Sequence, residues 1–314
     1  MVEYEATGIN PEQLFTISLS YSTDGIKWVE AQKGLSGSIG KGQQLKSSNQ
    51  IIWEPLQELS FFTSSSIQFK VIANQEFTLE FVLNKIQNDM VSIPKGTFMM
   101  GCAFNDKTCE ENEKPRHKVT LEGFLINKFE VTQIQWELIM GTTIHEQRNK
   151  ANPTFELYGI GPDFPIYYVS WEEAQDFIKK LNQLTGRKFR LPTEEEWEYA
   201  ARGGNPNYLF SGSNELSSVG WFDGNSKGQT HPVGEKSANG FGLFDMTGNV
   251  WEWCSNVYSP YKQIPNSLGL IFTSNSIVGR GGAWNKEKSK CRLSKRGRGL
   301  SHYRRNNLGF RIVE

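Results

Sequence analysis

"HPVGEKSANGFGLFDMTGNVWEW", residues 231–253, lies in a stretch that from residue 205 onward reads as loops and short strands rich in Gly, Asn, Ser and Trp. Within it, "DMTGNVWE" at 245–252 is a tight loop entering a strand, and it offers hard oxygen ligands. Asp245 and Glu252 supply carboxylates, and the carbonyls of Gly248 and Val250 can point inward. Calcium needs this mix: several oxygens, at least one charge, and a backbone bent enough to converge. A loop held only by side-chain to backbone hydrogen bonds is the alternative.

Upstream of this loop the texture is helical. Ser170 precedes "WEEAQDFIKKLNQLTG", with Glu173 as a capping-box partner. Ala174, Phe177, Ile178, Leu181 and Leu184 form one apolar stripe, and Gly186 stops the helix. Thr193 and Glu196 open a second helix, ended by Gly203 and Gly204; Thr132 and Gln135 open a third, shorter one. Residues 1–85 read instead as all-β. In "LFTISLSYSTDGIKWVEA", Phe15, Ile17, Leu19 and Tyr21 alternate, "STDG" turns the chain, and Ile26 and Trp28 resume the alternation. "NQIIWEPL", "SSIQFKVIA" and "EFTLEFVL" supply further strands, so an immunoglobulin-like or fibronectin-like sandwich is expected. "NKIQND" at 84–89 is a polar link, and a second domain spans 90–314.

The 314 residues carry 34 basic and 34 acidic side chains, so no global field recruits nucleic acid or membrane. "MVEYEATGIN" is no basic-then-apolar leader, and no apolar run approaches a membrane span. Four cysteines are too few for a disulfide scaffold. Cys102 and Cys109 bracket "CAFNDKTC", where either a small disulfide in an exported protein or two free thiols fits. An exported or cell-surface location is the favoured expectation. Cys254 reads as a buried core thiol, and a Cys254–Cys291 bridge is the lesser alternative.

Seven segments in fixed order resemble the formylglycine-generating enzyme (sulfatase-modifying factor) family. They are "IPKGTFMMG", "EKPRHKVTLEGFLINKFEVTQIQW", "PIYYVSWEEAQDFIKKLN", "RLPTEEEWEYAARGG", the opening segment, "GRGGAW" and "NNLGFRIV". The resemblance covers roughly residues 90–314. It implies an α+β, C-type-lectin-like fold with much irregular backbone, preceded here by the small all-β sandwich. It also implies structural calcium on Asp245, Gly248, Val250 and Glu252, all four positions matching. A second calcium site of the family has no recognisable ligand set in "SSVGWFDGNSKGQTHPVG".

The family's oxidases bind copper with two cysteines five positions apart, since soft thiolates select Cu(I). Cys291 matches the second, but the first falls at Lys286, and a serine that lines the pocket falls at Ala283. Copper chemistry is therefore not expected. Other members use iron held by histidines of an added helical domain. Here His117, His145, His231 and His302 are scattered without metal-ligand spacing. An oxidase or other metal-dependent enzyme of the family, acting on a peptide or small molecule, remains the alternative to a binding protein.

Between Arg280 and Arg311 lie nine further cations against a single acid, Glu287. Arg292, Arg296 and Arg311 sit in motifs the family uses internally and are expected to pair with core carboxylates and carbonyls. Lys286, Lys288, Lys290, Arg298, Arg304 and Arg305 should lie on the face where the oxidases bind peptide. With Trp284, His302 and Tyr303 they form the expected ligand-binding set, for an acidic protein surface or charged glycan; a solvated basic rim is the bland alternative. The same cassette resembles that of the variable proteins of diversity-generating retroelements, whose randomised residues form a binding face. His302, Tyr303, Arg304 and Arg305 are reachable from asparagine codons by changing adenines, and the chain ends three residues after "GFR", as those proteins tend to.

Overall fold

The computed structural model describes residues 1–314 except 6–13, 23, 25, 33–34, 47, 55–66, 104–105, 206 and 262–274. Thr23 and Gly25 of the expected "STDG" turn lie outside the described residues, as do Pro55–Leu56 and Ser65–Ser66 of two expected strands. The chain divides into two compact units, Met1–Thr78 and Leu79–Glu314.

The first unit holds β1 (Val2–Glu5), β2 (Leu14–Ser22), β3 (Val29–Glu30), β4 (Leu35–Gly37), β5 (Gly40–Gln44), β6 (Ser48–Trp53) and β7 (Gln68–Glu76). One antiparallel sheet has the order β1-β6-β4; in the other, β2 pairs with β3, β5 and β7. Alternation works as period-2 burial requires: Ile17, Leu19 and Tyr21 of β2 meet Ile51 and Trp53 of β6 in one cluster. Ile26 and Trp28 do not resume it. They are 85% and 40% exposed, because Asp24 Oδ1 accepts from the Ile26 and Lys27 amides and holds a turn where a ladder was expected.

The second unit begins with a helix where a strand and a linker are expected. "EFTLEFVL" does not continue as strand and "NKIQND" is not a linker. Leu79–Asn88 is a helix, α1, whose Val82 and Ile86 are buried in the second unit's core. The division therefore falls at 78/79, not at 85–90. β8 (Met90–Ile93) pairs with β11 (Phe124–Asn127), and β9 (Gly96–Met100) with β10 (His117–Leu121). Then come α2 (Gln133–Met140), α3 (Ile144–Ala151), α4 (Trp171–Thr185), α5 (Glu194–Arg202) and α6 (Leu216–Val219). A sheet of order β14-β13-β12-β15 closes the fold: β12 is Trp251–Val257, β13 Ser276–Arg280, β14 Gly297–Leu300 and β15 Leu308–Gly309.

The predicted caps form. Thr132, Ser170 and Thr193 each close a capping box, and Gly141, Gly186 and Gly203 end their helices at positive φ. α3, which has its own box at Thr143 and Glu146, was not expected. α4 buries Ala174, Phe177, Ile178 and Leu181, while Leu184 stays 47% exposed. Each fully buried Phe, Ile or Leu contributes about 1.5–3 kcal/mol. Phe177 and Phe310 pack on Trp136, tying α4, α2 and the C-terminal segment together.

Candidate ligand-binding face and buried carboxylate loop

Four buried arginines fix the C-terminal cassette from below. Arg280 bonds Glu198 and donates to the carbonyls of Leu293, Ser294 and Lys295. Arg292 forks onto Glu113 at 2.7 Å and reaches Asp106 at 2.6 Å. Arg296 pairs with Glu194 and Arg311 with Glu252, each through two nitrogens. Arg292, Arg296 and Arg311 are thus structural, as their motifs led us to expect. Burial alone would raise the Glu198 carboxyl, but Arg202 and Arg280 outweigh it and hold the group below its ordinary value. Cys102 and Cys109 form a disulfide, with Cα atoms 5.8 Å apart, which closes the loop that carries Asp106. Asp106, Cys109 and Glu113 lie close enough to suggest a metal cluster, but the sulfur is in the disulfide and Arg292 occupies both carboxylates.

Cys254 and Cys291 are both unpaired and fully buried. Gly282 has φ 81° and would place a Cβ 2.6 Å from Cys291 Sγ, so only glycine lets the chain pass over the thiol. Burial pushes the Cys291 thiol up to about 12. Without a metal it is protonated at neutral pH and is no ready nucleophile, since nucleophilic attack uses the thiolate.

Above this layer lie two clefts. One, of ≈ 230 Å³, is lined by Trp251, Trp253, three glycines, Leu308, Asn307 and the cations Lys286, Lys290, Arg298 and Arg305. The other, of ≈ 540 Å³, is lined by Phe155, Glu156, Tyr158, Tyr168, Arg304 and neighbours, and shares Lys286, Arg305 and Asn307 with the first. Five of the nine expected ligand residues, Lys286, Lys290, Arg298, Arg304 and Arg305, thus come together. Arg304 is paired with Glu173 at 2.9 Å and Lys290 with Glu110 at 3.0 Å. Arg298 stands over the Tyr258 ring.

Lys288 lines neither cleft; it faces Glu215 and the Phe210 ring. His302 and Tyr303 pack edge to face beside the clefts. Trp284 is a correction: it is 6% exposed, bonded to the Asn306 carbonyl and packed on Tyr158, so it supports the wall of the face and is no contact residue. Sequence reasoning missed Phe155, Tyr158 and Tyr168, which come from the loop between α3 and α4 and carry no local signal.

The loop at 245–250 is built on left-handed residues. Asp245, Gly248 and Asn249 all have positive φ, and a Cβ on Gly248 would stand 2.2 Å from the Trp221 carbonyl oxygen. Asp245 Oδ2 accepts from the Gly234 amide at 2.7 Å, while its buried Oδ1 has no hydrogen-bond partner. Glu252 is committed to Arg311 and to the Trp197 indole at 2.7 Å. A third buried acid, Glu130, accepts from Asn249 and from the Val250 amide; nothing in its sequence position announces it. Three buried carboxylates thus face one guanidinium. Burial raises Asp245 to about 6, against the Gly234 amide and Arg311. Burial, then Asp245 and Glu252, raise Glu130 well above the usual carboxylate range. An orphan oxygen with surplus buried negative charge suits a hard cation.

Residues 80–314 match the sulfatase-modifying factor enzyme 1-like domain, and the chain belongs to that family. It is 28% identical to the formylglycine-generating enzyme of Mus musculus, over 71% of this chain and 74% of that one. It is 27% identical to the inactive C-alpha-formylglycine-generating enzyme 2 of Bos taurus, over 72% and 87%. Among solved structures it resembles Treponema denticola variable protein 1, with TM-score 0.59 and 26% identity over 71% of this chain and 94% of that one. No helix among the described residues is long and apolar enough to cross a membrane.

Proposed function

We propose that the protein is a non-catalytic ligand-binding member of the family, with a C-type-lectin-like scaffold that presents its C-terminal cassette to an acidic protein or glycan. Lys286 carries the reading. It stands where the resemblance puts the first copper cysteine, and it lines both clefts. An ammonium has no lone pair for a metal. Cys291, at the second copper position, is thereby left without the partner thiol that a two-cysteine site needs. Likeness to a protein named as variable supports the finer reading, that the cassette is diversified among siblings. The two-sheet N-terminal unit is an immunoglobulin-like or fibronectin-like spacer, and the Cys102–Cys109 disulfide suits an exported or surface protein. Calcium, held by Asp245, Glu252 and the carbonyls of Gly248 and Val250, with Glu130 alongside, is structural: it balances the buried acids.

The rival reading, a metal-dependent oxidase, draws on identity to the mouse enzyme and predicts turnover that needs copper or oxygen. Binding is tested by titrating the whole chain against acidic proteins, polyglutamate and uronic-acid or sulfated glycans at low and high salt. One class should bind saturably and weaken with salt, since exposed charges are screened within about 8 Å at physiological ionic strength. Lys286→Glu and Arg305→Glu should abolish that binding. No binding to any of them, or binding indifferent to both substitutions, contradicts the reading. Genes of sibling strains should differ mainly between residues 284 and 307, beside a reverse transcriptase gene; evenly spread changes would remove the diversified-cassette part.

A further inference from the structure

We propose that the smaller cleft takes an aromatic ring bearing an oxyanion. The inference rests on the ligand-binding reading above and names the chemical group it recognises.

The floor of the cleft follows from strand geometry. Trp251 and Trp253 are two apart on β12 and share one sheet face. Across from them, β13 and β14 place Gly279, Gly297 and Gly299 where side chains would stand. A Cβ at Gly297 would lie 3.0 Å from Trp251 Cζ3, and one at Gly299 2.9 Å from Trp253 Cη2. The indoles therefore rest against bare backbone; Trp253 and Leu308 are buried and back the floor, and the half-buried Trp251 indole is the apolar surface it presents. The ≈ 230 Å³ above it is ample for one ring, since an apolar cavity of roughly 150 Å³ holds benzene.

The rim supplies the charge. Lys290 is engaged by Glu110, but Lys286 and Arg305 have no carboxylate partner among the described residues. None of the described lining residues is acidic. An oxyanion there gains charge-assisted hydrogen bonds. A sugar acid fits less well, because ring hydroxyls are donors that need acceptors. Among the lining side chains the one acceptor is Asn307 Oδ1, the Asn307 amide nitrogen donating to Asn285 at 2.7 Å. An aromatic ring brings no such donors and packs on the Trp251 indole by offset or edge contact. The rest of the ligand continues into the larger cleft past Lys286, Arg305 and Asn307.

Calorimetry of the full chain with phenyl phosphate, inorganic phosphate and glucuronate tests this. Phenyl phosphate should bind saturably, about tenfold or more tighter than either half-mimic, because ring and charge each contribute over a kcal/mol-scale step. Lys286→Glu and Arg305→Glu, checked for unchanged melting curves, should lose that binding at least tenfold. Phenyl phosphate no tighter than inorganic phosphate, or matched by glucuronate, overturns the inference. A peptide carrying tyrosine phosphate separates the sources. Tighter binding than phenyl phosphate supports a protein partner's side chain, and equal binding supports a free small aryl acid; both sustain the ring-plus-oxyanion chemistry. Should an acidic partner bind in the wider titration while phenyl phosphate fails, the ligand-binding reading stands and the aromatic group is wrong. Failure of both sinks the two together.

Discussion

Arg280 shows how single side chains hold the cassette in place. It is fully buried, bonded to Glu198 and to three successive cassette carbonyls. Removing it leaves a buried carboxylate with only Arg202 as a counter-charge, and three carbonyls without a donor. Arg280→Met should cost about 3–5 kcal/mol in denaturant unfolding, the usual penalty for breaking a buried pair from one side. A loss below about 1 kcal/mol would mean that Arg202 alone balances Glu198. Residue roles of this kind were partly legible. Arg292, Arg296 and Arg311 could be read as structural from their motifs, and their partners Glu113, Glu194 and Glu252 all lie within segments that carry the resemblance. Glu130 lies in the same segment as Glu113, but its role beside the 245–250 loop was not legible, because no calcium or arginine motif names it and only the fold brings it to the Val250 amide, 120 positions away.

At the scale of elements, capping boxes were legible because their chemistry is local: a Ser or Thr and a Glu or Gln three residues on. α1 was not. In "EFTLEFVL", Phe77, Leu79, Phe81 and Leu83 alternate like a strand, yet Val82 and Ile86 also repeat at four like a helix. The structure resolves the ambiguity by burying Val82 and Ile86. A fragment of residues 79–314 should therefore fold and melt cooperatively, whereas 90–314 should be insoluble or molten. A well-folded 90–314 fragment, by circular dichroism and melting, would show that α1 is dispensable.

The 245–250 loop makes the second prediction at this scale. A cation bound only by the native state stabilises it by mass action. Excess chelator should lower the melting temperature, and elemental analysis should find one calcium per chain. An unchanged curve with no metal found would leave the loop held by its hydrogen bonds alone.

For the whole molecule, scaffold and chemistry separate. The family fold survives in its helix caps, buried arginines and glycine turns, while the position the resemblance assigns to the first copper cysteine holds Lys286. Fold alone does not carry activity, and the chain's relatives include proteins named as formylglycine-generating enzymes and others named as inactive. The order of motifs made the second unit readable from sequence. The clefts were readable only as a charge excess, because the aromatic wall of the larger one comes from a loop with no local signal, and the floor of the smaller from an indole laid on glycines of two neighbouring strands. The central claim is that binding has replaced catalysis at this face. It is tested most directly by incubating the reduced whole chain with Cu(I), oxygen and a cysteine-containing peptide, then weighing the peptide by mass spectrometry. The account predicts a peptide of unchanged mass and no stoichiometric copper on the protein. One-to-one copper binding with conversion of that cysteine to formylglycine would contradict it.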